Sequence, residues 1–110
     1  MNNELVRTKF ERSNGTLVVH LSGEIDLSNA HDLQAQLKGA LHDSTRVVID
    51  LAEIVYLDSQ GLRLIKQLVR EAREENTQLE LVAPPGNFAR QVLEMTRMSD
   101  YIEIHDRLDD

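Results

Sequence analysis

Val47-Val48-Ile49-Asp50-Leu51-Ala52-Glu53-Ile54-Val55-Tyr56-Leu57-Asp58-Ser59-Gln60-Gly61-Leu62 reads as a buried strand, a short loop and a helix that opens on an acid–serine pair. The run from Arg46 to Leu51 suits an interior strand covered on both faces or nearly so. A helical pattern follows it and another strand-like run, Leu79-Glu80-Leu81-Val82, comes after that. Strand–helix–strand units of this kind give parallel neighbours joined by right-handed crossovers. A serine in the first turn of a helix is also well placed to carry a phosphate, which makes Ser59 the first candidate for function.

Working outward, residues 5–11 alternate weakly and predict an edge strand. Ser13-Asn14-Gly15 is a hairpin signal. Leu17 to Leu21 is a second strand, followed by a loop over Ser22-Gly23-Glu24-Ile25-Asp26-Leu27. Ser28 stands as N-cap to a first helix carrying Ala30, Leu33, Leu37, Ala40 and Leu41. The second helix covers about 59–75, and Pro84-Pro85-Gly86 ends the strand at 79–82. Asn87 caps a last helix carrying Phe88, Val92, Met95 and Met98, with the two methionines read as core. Tyr101 to Ile104 closes the chain as an edge strand, and the acidic tail from Asp106 to Asp110 is expected to fray. The expected fold is therefore α/β, with β-β-α-β-α-β-α-β order, helices packed on a mixed, mostly parallel sheet, and a single domain over residues 1–110.

At 100° per residue, Leu62, Ile65, Leu68, Val69 and Ala72 form the expected core face of the second helix. Gly61 falls on that side, where close approach to the sheet explains it best. Ser59 points outward and shares its face with Arg63, Lys66, Arg70 and Arg73. This helix carries four of the chain's 12 Lys and Arg residues but only three of its 19 Asp and Glu residues. The stripe reads either as a solvated face or as a dock for an acidic partner. Asp58 is expected to cap the helix by accepting the N–H of Gln60 or Gly61. A phosphate on Ser59 would then meet free N–H groups and the positive helix end, with Asp58 opposing part of the gain. The modification would change a surface, not the fold.

Bulk composition narrows the classes. The formal charge of −7 argues against a general nucleic-acid binder, and the absence of cysteine excludes disulfides and Cys-ligated metals. Hydrophobic residues at 41% and charged residues at 28% fit a soluble, cytoplasmic protein. Met1-Asn2-Asn3-Glu4 lacks a signal-peptide pattern, and no apolar run is long enough to cross a bilayer. His20, His31, His42 and His105 are scattered without metal-site spacing, and no Gly-rich cofactor fingerprint occurs, so neither metal nor cofactor is expected.

Three segments together resemble the STAS domains, and most closely the stand-alone bacterial anti-sigma factor antagonists. They are Leu21-Ser22-Gly23-Glu24-Ile25-Asp26, Val47-Val48-Ile49-Asp50-Leu51 and Leu57-Asp58-Ser59-Gln60-Gly61-Leu62. The resemblance covers essentially the whole chain. It implies that Ser59 is phosphorylated by a partner that is both an anti-sigma factor and an ATP-dependent serine kinase. The unmodified antagonist binds that kinase and frees the sigma factor; phosphorylation breaks the complex, and a PPM-type serine phosphatase restores the active form. The implied partner surface is Asp26, Leu27 and Ser28 with Asp58, Gln60, Gly61, Leu62 and Arg63 around Ser59. Gln60 stands where many members carry a small residue. The resemblance further implies a free monomer that engages a dimeric kinase, with no catalytic residue of its own. Two other readings stand beside it: a STAS subunit of a non-sigma pathway (biofilm or chemotaxis-like signalling, or a lipid-transport ATPase complex), and a small enzyme using carboxylates at Asp26, Asp50 and Asp58.

Overall fold

The computed structural model describes residues 5–108. The reading of Met1 to Glu4 and of the last two tail residues lies outside them. The element order is β1 (Val6–Ser13), β2 (Thr16–Ile25), α1 (Ala30–His42), β3 (Arg46–Leu57), α2 (Ser59–Glu74), β4 (Gln78–Val82), α3 (Phe88–Met95), a 3₁₀ turn (Met98–Asp100) and β5 (Glu103–His105). That is the order expected from the sequence. Asn14 (φ 51°) and Gly15 (φ 80°) make the two-residue hairpin turn between β1 and β2.

One five-stranded sheet runs in the order β1-β2-β3-β4-β5, antiparallel at β1/β2 and parallel thereafter. Because β2 to β5 advance in one direction, right-handed crossovers place all three connecting helices on the same face. The core reflects this. Leu17, Val19 and Leu21 of β2, Val47, Ile49 and Leu51 of β3 and Leu81 of β4 join Leu33, Leu37, Leu41, Leu64, Leu68 and Leu93 of the helices in one cluster. Burying a leucine fully contributes roughly 2 kcal/mol. From Val47 to Leu51, β3 is buried on both faces, as its apolar run led one to expect, although helices cover only one of them.

The opposite face is built differently. Its row of paired positions is His20, Asp50, Val82 and His105, beside Val48, Glu80 and Glu103. Val48 and Val82 are buried but lie outside the main cluster. Glu80 is 2% exposed and accepts from Arg46 Nε at 2.8 Å and Nη2 at 2.9 Å. His105 Nε2 stands 2.8 Å from its other side. The Arg46 guanidinium, above all, holds the Glu80 carboxyl down at about 2 against burial, which alone would raise it.

Several elements depart from expectation. β2 and β3 run on to Ile25 and Leu57 instead of giving way to loops. β3 has one extra residue opposite His20–Ser22 and a second opposite Gly23–Glu24. The first bulge frees the Ala52 N–H, which donates to Asp50 Oδ1 at 3.0 Å. Asn87, besides capping α3 through Arg90 N–H at 2.7 Å, donates to Leu51 O at 3.0 Å. The two bulges switch the phase of the strand, so Ile54 and Leu57 both face the core. On α2 the core face includes Leu64, which falls outside the expected stripe, whereas Leu62 is only partly buried. On α3 Met95 is 83% exposed, so its reading as core is corrected; Met98 is buried, but in the turn beyond the helix. β5 begins at Glu103, not Tyr101. The tail does not fray at its start, because Asp106 Oδ1 accepts from Arg90 Nη1 at 2.7 Å.

Candidate functional site

Where β2 and β3 end side by side, the chain makes two polar corners. Asp58 follows β3 as N-cap of α2, and its Oδ1 accepts from both Gln60 N–H (2.8 Å) and Gly61 N–H (3.0 Å). Its Oδ2 accepts from Leu27 N–H at 3.2 Å, and its own N–H donates to Ile25 O at 3.2 Å. One carboxylate thus ties the loop after β2 to the start of α2. Replacing Asp58 with alanine should cost about 1 kcal/mol in lost capping. The same change should speed amide hydrogen exchange at Leu27, Gln60 and Gly61 together. Exchange that accelerates at Gln60 and Gly61 but not at Leu27 would rule out the tie between the corners.

The second corner is Asp26-Leu27-Ser28-Asn29. Asp26 Oδ1 accepts from Ser28 N–H at 2.9 Å and from Ser28 Oγ at 2.6 Å. Ser28 is therefore not the N-cap of α1; that position belongs to Asn29, which makes no side-chain cap bond. Asn29 is 2% exposed and crosslinks the loop, donating through Nδ2 to Glu24 O (2.9 Å) and accepting from Asp26 N–H (3.0 Å). Leu27 is held at the tip, 74% exposed.

Ser59 is the first residue of α2 and is exposed, and among the described residues its hydroxyl has no hydrogen-bond partner. The expected supply of free N–H groups is smaller than the sequence suggested, since Asp58 already occupies those of Gln60 and Gly61. An anion added at Ser59 would sit outside that cap and beside its negative charge. Asp58 would thus turn such an anion outward instead of letting it fold back onto the helix end.

The implied surface residues divide by exposure. Leu27, Ser28 and Arg63 are exposed; Asp26, Asp58, Gln60 and Leu62 are half-buried. Gly61 is buried beneath them, where an added Cβ would strike Leu57 Cδ1 and lie 3.2 Å from Ile25 O. Its part is to let α2 start close against the strand ends. Leu27, Gln60 and Arg63 line a cleft of about 330 Å³ with His31 and Gln34 of α1, two residues that carried no signal in the sequence. Val55 and Tyr56, on the same end of β3, are 65% and 42% exposed, and Tyr56 stacks obliquely on Phe88 with ring centroids 5.6 Å apart. Apolar side chains persisting past the second bulge were the available clue to this exposed patch.

The three carboxylates of the enzyme reading do not converge. Asp26 bonds Ser28 within its own loop, while Asp58 caps α2 and reaches only the Leu27 N–H of that loop. Asp50 lies earlier in β3 with Oδ2 2.8 Å from His20 Nδ1 and Oδ1 on Ala52 N–H. His20 is thus a paired strand histidine, also 3.3 Å from Glu11. Glu80, Glu103 and His105 lie close enough together to share a cation. Both Glu80 oxygens already accept from Arg46, and Gln78 and His105 fill the rest of its shell, so this cluster is a structural one.

Among the described residues no helix is long and apolar enough to cross a membrane. An anti-sigma-B factor antagonist of Listeria monocytogenes is 30% identical over 95 residues, which cover 86% of this chain and 82% of that protein. The crystal structure of an anti-sigma factor antagonist from Mycobacterium paratuberculosis matches with a TM-score of 0.85 at 27% identity, covering 96% of this chain and 89% of that one. Unphosphorylated SpoIIAA, an anti-sigma factor antagonist from Bacillus, matches with a TM-score of 0.72 over 89% of this chain and 87% of its own; at 20% identity this likeness concerns the fold alone. The sequence model of the STAS domain matches residues 7–110, from β1 through both corners to β5, and the chain belongs to the STAS domain family.

Proposed function

We propose that this protein is a phosphorylation-switched binding module: an anti-sigma factor antagonist that binds an anti-sigma factor serine kinase when Ser59 is unmodified and leaves it when Ser59 is phosphorylated. The carrying observation is an exposed, unpartnered serine hydroxyl at the first position of α2, beside a loop that Asp58 clamps to it. Leu27, Ser28 and Arg63 supply exposed contacts, Asp26, Asp58, Gln60 and Leu62 flank them, and Gly61 sets the helix height from below. A phosphate adds about −1.5 to −2 charges. The cap carboxylate keeps it at the surface, where it repels or displaces what had docked there. A PPM-type serine phosphatase would reverse the change. The named relatives support this reading, since the Listeria and Mycobacterium proteins are anti-sigma factor antagonists.

The test uses the cognate kinase with ATP, followed by mass spectrometry of the modified chain. Ser59 is the expected acceptor, and Ser59→Ala abolishes modification. Ser59→Ala retains kinase binding, whereas Ser59→Asp weakens it at least tenfold, about 1.4 kcal/mol. Equal binding by the two variants would overturn the switch.

A further inference from the structure

The cationic stripe of α2 is not consumed by the Ser59 site. Arg63, Lys66, Arg70 and Arg73 are all exposed. Among the described residues Arg63, Lys66 and Arg70 make no ion pair or side-chain hydrogen bond, although Glu74 ends the same helix and Glu75 follows it. Arg73 donates only to Tyr101 O, at 3.2 Å. By contrast Lys38, Arg46, Arg90 and Arg97 are each paired with a carboxylate. Unpaired cations in a row are an unusual outlay for a chain whose formal charge is −7.

Between this stripe and the turn after α3 runs an open groove of about 390 Å³. Lys66, Arg70 and Arg73 form its rim; Val69, Met98 and Tyr101 provide an apolar floor and wall. Met98 is fully buried and Val69 is 8% exposed, whereas Tyr101 is 58% exposed, so the floor is fixed and the wall is reachable. Lys66 and Arg70 are one turn apart, about 6 Å along the axis. Alternate residues of an extended peptide are about 6.6 Å apart. An acidic–apolar–acidic segment therefore matches the groove, its carboxylates on the Lys66–Arg70 rim and its central side chain, which points the opposite way, toward the wall at Tyr101.

We propose that this groove docks an acidic, apolar-anchored peptide segment of a protein partner, at the end of α2 remote from Ser59. The inference rests on the reading of this chain as a protein-binding module, but not on phosphorylation. A membrane or a nucleic acid is disfavoured by the overall negative charge. Glu74, at the far end of the groove, gives the site a direction by repelling an acid placed there.

The test uses the full chain, isotope-labelled for NMR, and a short synthetic peptide of alternating glutamate and leucine. The peptide is expected to shift the amides of Val69, Arg70 and Tyr101, with affinity falling as salt rises. Lys66→Glu/Arg70→Glu should weaken it at least tenfold, and Lys66→Gln/Arg70→Gln less, with melting temperatures unchanged. Ser59→Ala and Ser59→Asp should leave peptide binding as it is, so failure here and failure of the phosphorylation switch are told apart. No peptide binding, or binding indifferent to the charge-reversed pair, would overturn the proposal. So would equal or tighter binding at the same residues by phosphatidylserine vesicles or by an oligonucleotide.

Discussion

Exchanging Arg46 for methionine is expected to destabilise the fold by about 3 kcal/mol at neutral pH, because it strands a buried carboxylate. Glu80 is 2% exposed, and both of its oxygens accept from this one guanidinium. Methionine fills the aliphatic volume but leaves Glu80 with only Gln78 and His105. The loss should depend on pH, with a definite sign. The folded carboxyl sits at about 2, below its ordinary 4.5, so its contribution is complete above 4.5 and disappears as pH falls toward 2. In the variant the main cause of that depression is gone, and Glu80 takes up its proton at higher pH. The stability difference between wild type and variant should therefore be full at about pH 7 and much reduced near pH 3. Because Arg46 is itself 43% exposed, solvent screening keeps the size of the effect near the low end for a broken buried pair. Urea titrations at the two pH values measure this directly. A difference that is the same at both would show that Arg46 acts through packing, not charge. The double change Arg46→Met/Glu80→Leu should regain most of the loss, since no charge is then left buried.

This polar face also shows where the sequence was legible and where it was not. Element order, hairpin, helix starts at Ser59 and Phe88, and the caps at Asp58 and Asn87 were all readable, because local chemistry determines them. Periodicity at 100° per residue placed Ile65, Leu68, Val69 and Ala72 correctly. What it missed was non-local. Glu71 looks like a solvated acid, yet it is 7% exposed because α1 packs across it and supplies Lys38 Nζ at 3.5 Å. Asp50 looks like a strand-end ligand, yet it satisfies a bulge whose existence depends on register with β2. Met95 follows the apolar period of α3, but that helix packs into the core with Ala89 and Leu93 and leaves Met95 outside. The same limit holds at the candidate site. Ser59, Asp58 and Asp26 stand out in the chain, whereas Asn29, which braces the loop from inside, and His31 and Gln34, which line the cleft, acquire meaning only once α1 lies beside α2.

Gly61→Val should lower stability by about 2 kcal/mol, within the range for overpacked cores, and its effect should reach Ser59. Gly61 lies in the first turn of α2, buried against the ends of β2 and β3. A Cβ there lands on Leu57 Cδ1 and sits 3.2 Å from both Ile25 Cγ2 and Ile25 O. Leu57 Cδ1 is the end of a side chain and can turn aside. Ile25 O is backbone, and it accepts the N–H of Asp58 at 3.2 Å, so it cannot retreat without loosening the cap residue. Alanine adds one methyl against these neighbours but gains about 1 kcal/mol of helix propensity over glycine. Gly61→Ala should therefore be nearly neutral. Valine adds two further methyls and stiffens χ1, so the first turn must lift from the sheet. For a chain of this size the loss corresponds to a fall of roughly 10 °C in Tm. Lifting the turn also carries Ser59 away from the clamped loop at Leu27. Kinase binding should then fall for valine and persist for alanine, in step with stability. If valine melts like wild type, the helix start has room to spare, and the glycine is not what sets the height of Ser59 above the strand ends.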